Sequence, residues 1–77
     1  MWIHIAGEVM DEMVEEENSS RYHISADGTE YEVIVKGRQA IKDYLFVRKH
    51  QQVEIYGTLE AKKIFSEKTR IQLQKRM

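Results

Sequence analysis

Two short segments near opposite ends of the chain share one plan. Ile3-His4-Ile5-Ala6-Gly7-Glu8-Val9 and Val53-Glu54-Ile55-Tyr56-Gly57-Thr58-Leu59 both alternate apolar and polar residues around a glycine. A period of two is the mark of a strand with one face on a core and the other on solvent or a partner. A glycine inside such a strand weakens it, and so marks a bulge, a sharp bend or a close backbone approach. Two bent strands at the ends of a 77-residue chain predict a small closed barrel.

That length predicts one domain over residues 1–77. A domain near this size buries only about 60% of its unfolded surface, so its core is small. The chain has no cysteine, so disulfides cannot compensate, and the absence fits a reducing compartment. Zinc would need His and carboxylate ligands alone. His4, His23 and His50 are far apart and show no metal spacing. No metal or other cofactor is expected. The apolar N-terminus lacks the basic region and the small-residue cleavage site of a signal peptide. No apolar run approaches the ~20 residues of a membrane span. The expectation is a soluble cytoplasmic protein with no membrane partner.

The pattern along the chain predicts a first strand from Trp2 to Met10, with Ile3, Ile5 and Val9 inward. An acidic stretch from Asp11 to Ser20 follows, read as a long loop or an extended hairpin tip. A second strand fits Arg21 to Ala26 and a third Thr29 to Lys36, joined by Asp27-Gly28. Asp and Gly tolerate the positive φ of a type I′ hairpin turn. Gly37 ends the third strand. Arg38 to Arg48 reads as a short helix, with Ile41, Tyr44, Leu45 and Arg48 at helical spacing on the face expected to pack. The fourth strand runs from Val53 to about Ala61. After a basic tip, the fifth covers Thr69 to Gln74, with Ile71 and Leu73 inward. Tyr22, Tyr31 and Tyr44 all fall on apolar stripes and are expected in the core.

The fold class is therefore all-β with one short helix, in the order β-β-β-α-β-β. That is the order of the five-stranded OB-fold Greek-key barrel. Ile5-Ala6-Gly7-Glu8-Val9, Val33-Ile34-Val35-Lys36-Gly37, and the Val53–Leu59 segment with Ile71-Gln72-Leu73 carry a further likeness. On these the chain resembles the bacterial single-stranded-DNA-binding group of OB proteins, which includes primosomal replication protein N. The resemblance implies a non-catalytic protein of DNA replication that binds single-stranded nucleic acid, ssDNA foremost, and that assembles as an oligomer. It implies the outer face of the second and third strands as the ligand platform. One departure stands out. Group members tend to place basic or aromatic residues in the loop between the first two strands, where this chain has Asp11, Glu12, Glu15, Glu16 and Glu17.

Charge is unevenly spread. Residues 1–47 hold ten acids and four bases, a net of -6; residues 48–77 hold three acids and eight bases, a net of +5. Single-stranded nucleic acid needs cations for its phosphates and flat side chains for its bases. The C-terminal half supplies both. Tyr56 and Arg70 fall on outer faces by alternation, and Lys62, Lys63, Lys68 and Phe65 gather at the tip. Phe65 either stacks on a base or, with Ile64, extends the strand core. On the outer face of the first three strands, Arg21, His23 and Lys36 are candidates for phosphate or base contacts, opposed by Glu30 and Glu32. Trp2 is read as a core lid or a dimer contact, with the exposed first strand pairing across a two-fold.

Catalysis is not expected. None of Ser19, Ser20, Ser25 and Ser66 sits in a nucleophile elbow, and no glycine-rich phosphate loop is present. Glu15-Glu16-Glu17 is either a solvated loop or a contact for a basic protein partner. The second possibility makes the alternative function a protein-interaction or assembly module.

Overall fold

A computed structural model of the chain describes residues 1–72. The elements are β1 (Trp2–Val9), β2 (Val14–Glu16), β3 (Ser19–Ala26), β4 (Thr29–Lys36), α1 (Arg38–Phe46), β5 (Gln52–Glu60) and β6 (Lys63–Ile71). Five strands close a ring in the order β1-β5-β6-β4-β3, with β3 pairing back onto β1. Every pair in the ring is antiparallel except β4 with β6. Closure removes most free edges, and the connectivity is that of the OB-fold. No helix among the described residues is long and apolar enough to cross a membrane.

The interior is filled by alternate residues. Val9, Tyr22, Ile24, Val33, Val35, Val53, Ile55 and Ile64 are fully or almost fully buried. Asp27 and Gly28 both take positive φ, 51° and 80°, as a type I′ turn demands. The two strand glycines are both sites of close backbone approach. At Gly7, β1 passes from β5 to β3: it pairs with β5 as far as Glu8 and with β3 at Glu8 and Val9. A Cβ there would lie 2.7 Å from the carbonyl oxygen of Ser25. A Cβ at Gly57 would be driven onto the carbonyl of Phe65.

Gly57 sits beside a bulge. Tyr56 faces Lys68 but Gly57 faces Ser66, so Glu67 is an extra residue in β6. The extra residue shifts the alternation of the strand by one. Before the bulge the inward residue is Ile64, and Phe65 turns outward; after it Thr69 and Ile71 lie on the inner side. The helix supports this point. The Gln39 amide donates to the Glu67 carbonyl at 2.6 Å and accepts from the Thr69 N–H at 2.8 Å.

Several expectations are corrected. The acidic stretch takes the second of its two expected forms, an extended hairpin in which β2 pairs with Ser19–Arg21, but β3 begins two residues earlier than predicted. The last strand begins at Lys63, not Thr69, because the turn after β5 is short, with Ala61 at φ 55°. Leu73 and Gln74 lie outside the described residues. The helix faces the other way from its apolar stripe. Ala40 and Asp43 are buried, with Val47 just beyond, while Ile41, Tyr44 and Leu45 are exposed. The strands already fill the barrel, so α1 finds only a shallow seat that takes a small residue and a hydrogen-bonded carboxyl. Thr69 donates to Asp43 Oδ2 at 2.7 Å. Burial, the largest influence, holds the Asp43 carboxyl above its usual range despite the hydrogen bonds from Thr69 and Gln39.

Candidate nucleic-acid interface

The outer surface of the barrel divides into two sides. On the β3–β4 side two of the three candidates, Arg21 and His23, are engaged by carboxylates. Arg21 Nε lies 2.8 Å from Glu16 Oε1, and its Nη1 is 3.8 Å from Glu32. Asp11 accepts from the His23 backbone N–H at 2.8 Å and meets His23 Nδ1 at 2.7 Å. That carboxylate pins the chain between β1 and β2 to β3. Lys36, exposed, stands at the end of β4 opposite Ser19. It is beyond the stretch where β4 meets β6, and so is apart from the other candidates. Glu30 and Glu32 share this side with them.

The β1–β5–β6 side is built differently. Register places His4 opposite Tyr56 and Tyr56 opposite Lys68. The His4 and Tyr56 rings stack, with centroids 4.1 Å apart and planes 7° from parallel. Lys68 Nζ lies over the Tyr56 ring, 5.8 Å from its centroid, at the range of a cation–π contact. Trp2, the next outward residue of β1, is 62% exposed. Trp2 is therefore no core lid. Glu54 reaches His4 Nε2 at 3.7 Å, and Arg70 faces Glu54 across the strands. No described carboxylate forms an ion pair with Lys62, Lys63, Lys68 or Arg70.

Lys62 lies in the β5–β6 turn and Lys63 opens β6; an open groove there is lined by His23, Glu30, Glu32, Ala61 and the two lysines. Lys63 pairs in register with Glu60 and Glu32. Phe65 is half-buried on the outer face between Thr58 and Ile34, and Ile64 is core. Of the sequence candidates, the structure thus brings Tyr56 and Lys68 together, with Arg70 one step along β6. It leaves Lys62, Lys63 and Phe65 toward the far end of the hairpin, and Lys68 is not part of that tip. Arg21 and His23 are tied up elsewhere. The residues missed by sequence are His4 and Trp2. Their outward phase was legible, but their neighbours depend on the β1–β5 register, which sets His4 opposite Tyr56. Among the described residues, no three His, Cys, Asp or Glu side chains converge as a metal site.

The arrangement offers a flat aromatic surface with cations along one margin. The Tyr56 ring has His4 on its β1 side and Lys68 on its β6 side. The free face of His4 and the indole of Trp2 remain open to a planar ligand.

The sequence matches no family model and no curated protein. Solved structures do match. The small single-stranded DNA-binding protein from Streptomyces coelicolor superimposes with a TM-score of 0.83 at 15% identity, over 95% of this chain and 94% of that one. What the two share is the OB fold. The ZRD-deleted mutant of TiaS in complex with agmatine gives 0.79 at 22% identity, over 91% of this chain and 21% of that one. A tRNA fluorescent labeling enzyme gives 0.80 at 20% identity, over 99% and 19%. The chain thus spans about a fifth of the length of those larger proteins.

Proposed function

We propose that this protein is a non-catalytic OB module that binds single-stranded nucleic acid, ssDNA foremost, on the β1–β5–β6 side of its barrel. The observation that carries this reading is the His4–Tyr56 stack with Lys68 on one margin and Trp2 exposed beside it. Bases stack on Trp2 and on the open face of His4, while Lys68 and Arg70 meet phosphates. Stacking on an aromatic is worth about 1–3 kcal/mol per base and tolerates any sequence. The end-to-end likeness to a small ssDNA-binding protein supports the polymer class. TiaS, also solved in complex with a tRNA, makes RNA the competing ligand.

The chain carries one tryptophan, so the proposed contact reports on itself. Titration with oligo-dT is expected to quench Trp2 emission, with affinity falling steeply as salt rises, because phosphate contacts release counterions. Lys68→Ala should flatten that salt slope by about one unit. An oligo-A RNA that binds more tightly than oligo-dT moves the ligand to RNA. No binding of either at low salt, where phosphate contacts are strongest, removes the proposal.

A further inference from the structure

Two carboxylates of the acidic stretch close on the β3–β4 side, and each sits as a phosphate would. Asp11 grips one residue twice. Its Oδ1 accepts from the His23 backbone N–H at 2.8 Å, and its Oδ2 meets His23 Nδ1 at 2.7 Å. Glu16 reaches diagonally past Val14, the register partner of Arg21, to Arg21 Nε at 2.8 Å. Acidic oxygens on a guanidinium and on backbone and ring N–H groups are the contacts that phosphates make on proteins. No described cation forms an ion pair with the neighbouring Glu12, Glu15 or Glu17. The same side carries the other parts of a strand-binding surface. Ile34 and half-buried Phe65 follow Arg21 in one row across the strands, and Lys62 and Lys63 line the groove beside His23. The paired groups are within reach of a ligand: the side chains of Arg21 and Glu16 are 50% and 46% exposed, those of His23 and Asp11 44% and 46%.

We propose that the stretch from Asp11 to Glu16 is an autoinhibitory strap: its two carboxylates stand in for the phosphates of a single strand and keep a second nucleic-acid face closed. The closure has two parts. Arg21 and His23 have donors already filled, and the filling groups repel any phosphate that approaches to displace them. An exposed ion pair holds by a factor of about five or less, so the strap is weak enough to be released. Charge on Asp11 and Glu16, and not the backbone ladder of β2 with β3, decides whether the face is open. Glu32, the second partner of Arg21 at 3.8 Å, and Glu30 also lie here, but Lys62 and Lys63 stand against them in the groove. The inference extends the nucleic-acid reading to a second face and does not rest on Trp2 or His4.

Neutralising the strap tests the proposal as a gain of binding. Asp11→Asn with Glu16→Gln keeps the size of each side chain and an acceptor oxygen, so the hairpin stays, and circular dichroism checks that it does. Binding of a fluorescent oligo-dT is read by anisotropy in a Trp2→Ala background, which weakens the β1–β5–β6 side. Relative to Trp2→Ala alone, the two substitutions should tighten binding by about tenfold or more at low salt, since two freed cations gain phosphates. The salt slope should steepen by about 1.4, the value for two more phosphates of a single strand. Glu16→Gln by itself should give part of the gain. Adding Arg21→Ala should abolish it. Glu12→Gln with Glu15→Gln removes the same charge from acids outside the strap's contacts and should change binding by less than about threefold. No gain, an equal gain in that control, or a gain that survives Arg21→Ala would each overturn the strap. A gain in the strap variant of a protein whose wild type does not bind would support the strap and remove only the β1–β5–β6 reading.

Discussion

The two sides of this barrel carry similar side chains and differ in what those side chains are free to do. On the β3–β4 side, Arg21 is held by Glu16 and Glu32, and His23 by Asp11. Arg21 and His23 fasten the acidic stretch to the barrel. On the β1–β5–β6 side, Lys68 lies over Tyr56, and Tyr56 stacks on His4. There the cations border an aromatic surface and form no ion pair with a described carboxylate. Availability, not number, separates the two sides. A count of charges along the chain sees the same residue types on both.

Five changes break or sharpen that contrast, from the largest effect to the smallest. Gly57→Val pushes a side chain into the Phe65 carbonyl and parts β5 from β6. It should cost more than about 3 kcal/mol by urea denaturation, in the range reserved for severe steric and backbone conflicts. Trp2→Ala should weaken oligo-dT binding by about 1–3 kcal/mol with little loss of stability. Arg21→Ala, on the other side, should leave binding within about twofold while loosening the hairpin, as expected for an exposed ion pair worth under ~1 kcal/mol. Equal losses from the two variants would erase the distinction between the sides.

The fourth change concerns pH. The folded Asp43 holds its proton more tightly than the unfolded chain does. Stability contributed by the neutral acid is therefore present at low pH and lost as pH rises from the ordinary carboxylate range through the raised folded value. Asp43→Asn should raise the urea midpoint at neutral pH, with the gap from wild type closing in acid. A gap that widens in acid would reverse the sign and contradict the burial argument. The smallest effect is expected at Tyr22. Its hydroxyl is buried with no hydrogen-bond partner among the described residues, so Tyr22→Phe should be neutral or stabilising by up to about 1 kcal/mol. A clear destabilisation would show that the hydroxyl is satisfied.

The fold was legible where local chemistry decides it. Asp27-Gly28 and the strand after it fall where alternation and turn chemistry put them, and both strand glycines proved to be close approaches. Legibility failed where tertiary context overrides period. Counting back from Ile71 in steps of two predicts Phe65 inside, and one inserted residue at Glu67 reverses that. The stripe of Ile41, Tyr44 and Leu45 has proper helical spacing, yet the barrel offered α1 no room for it. The candidate interface was half legible. Tyr56, Lys68 and Arg70 were marked by phase and charge, but the His4 stack needs a register between strands fifty residues apart, and Arg21 and His23 lose their freedom to partners that only folding supplies.

The ring of pairings also has a consequence in time. β1 is made first, but Trp2 must wait for Thr58 before most of that strand has a partner. β4 in turn waits for β6. During synthesis the β3–β4 hairpin can form at once, while Ile3 and Ile5 remain uncovered until the last strands emerge. Non-local pairings of this kind are slow to form and expose the chain to aggregation meanwhile. The vulnerable moment for this protein is therefore its birth, and the strand at risk is the one that carries Trp2 and His4.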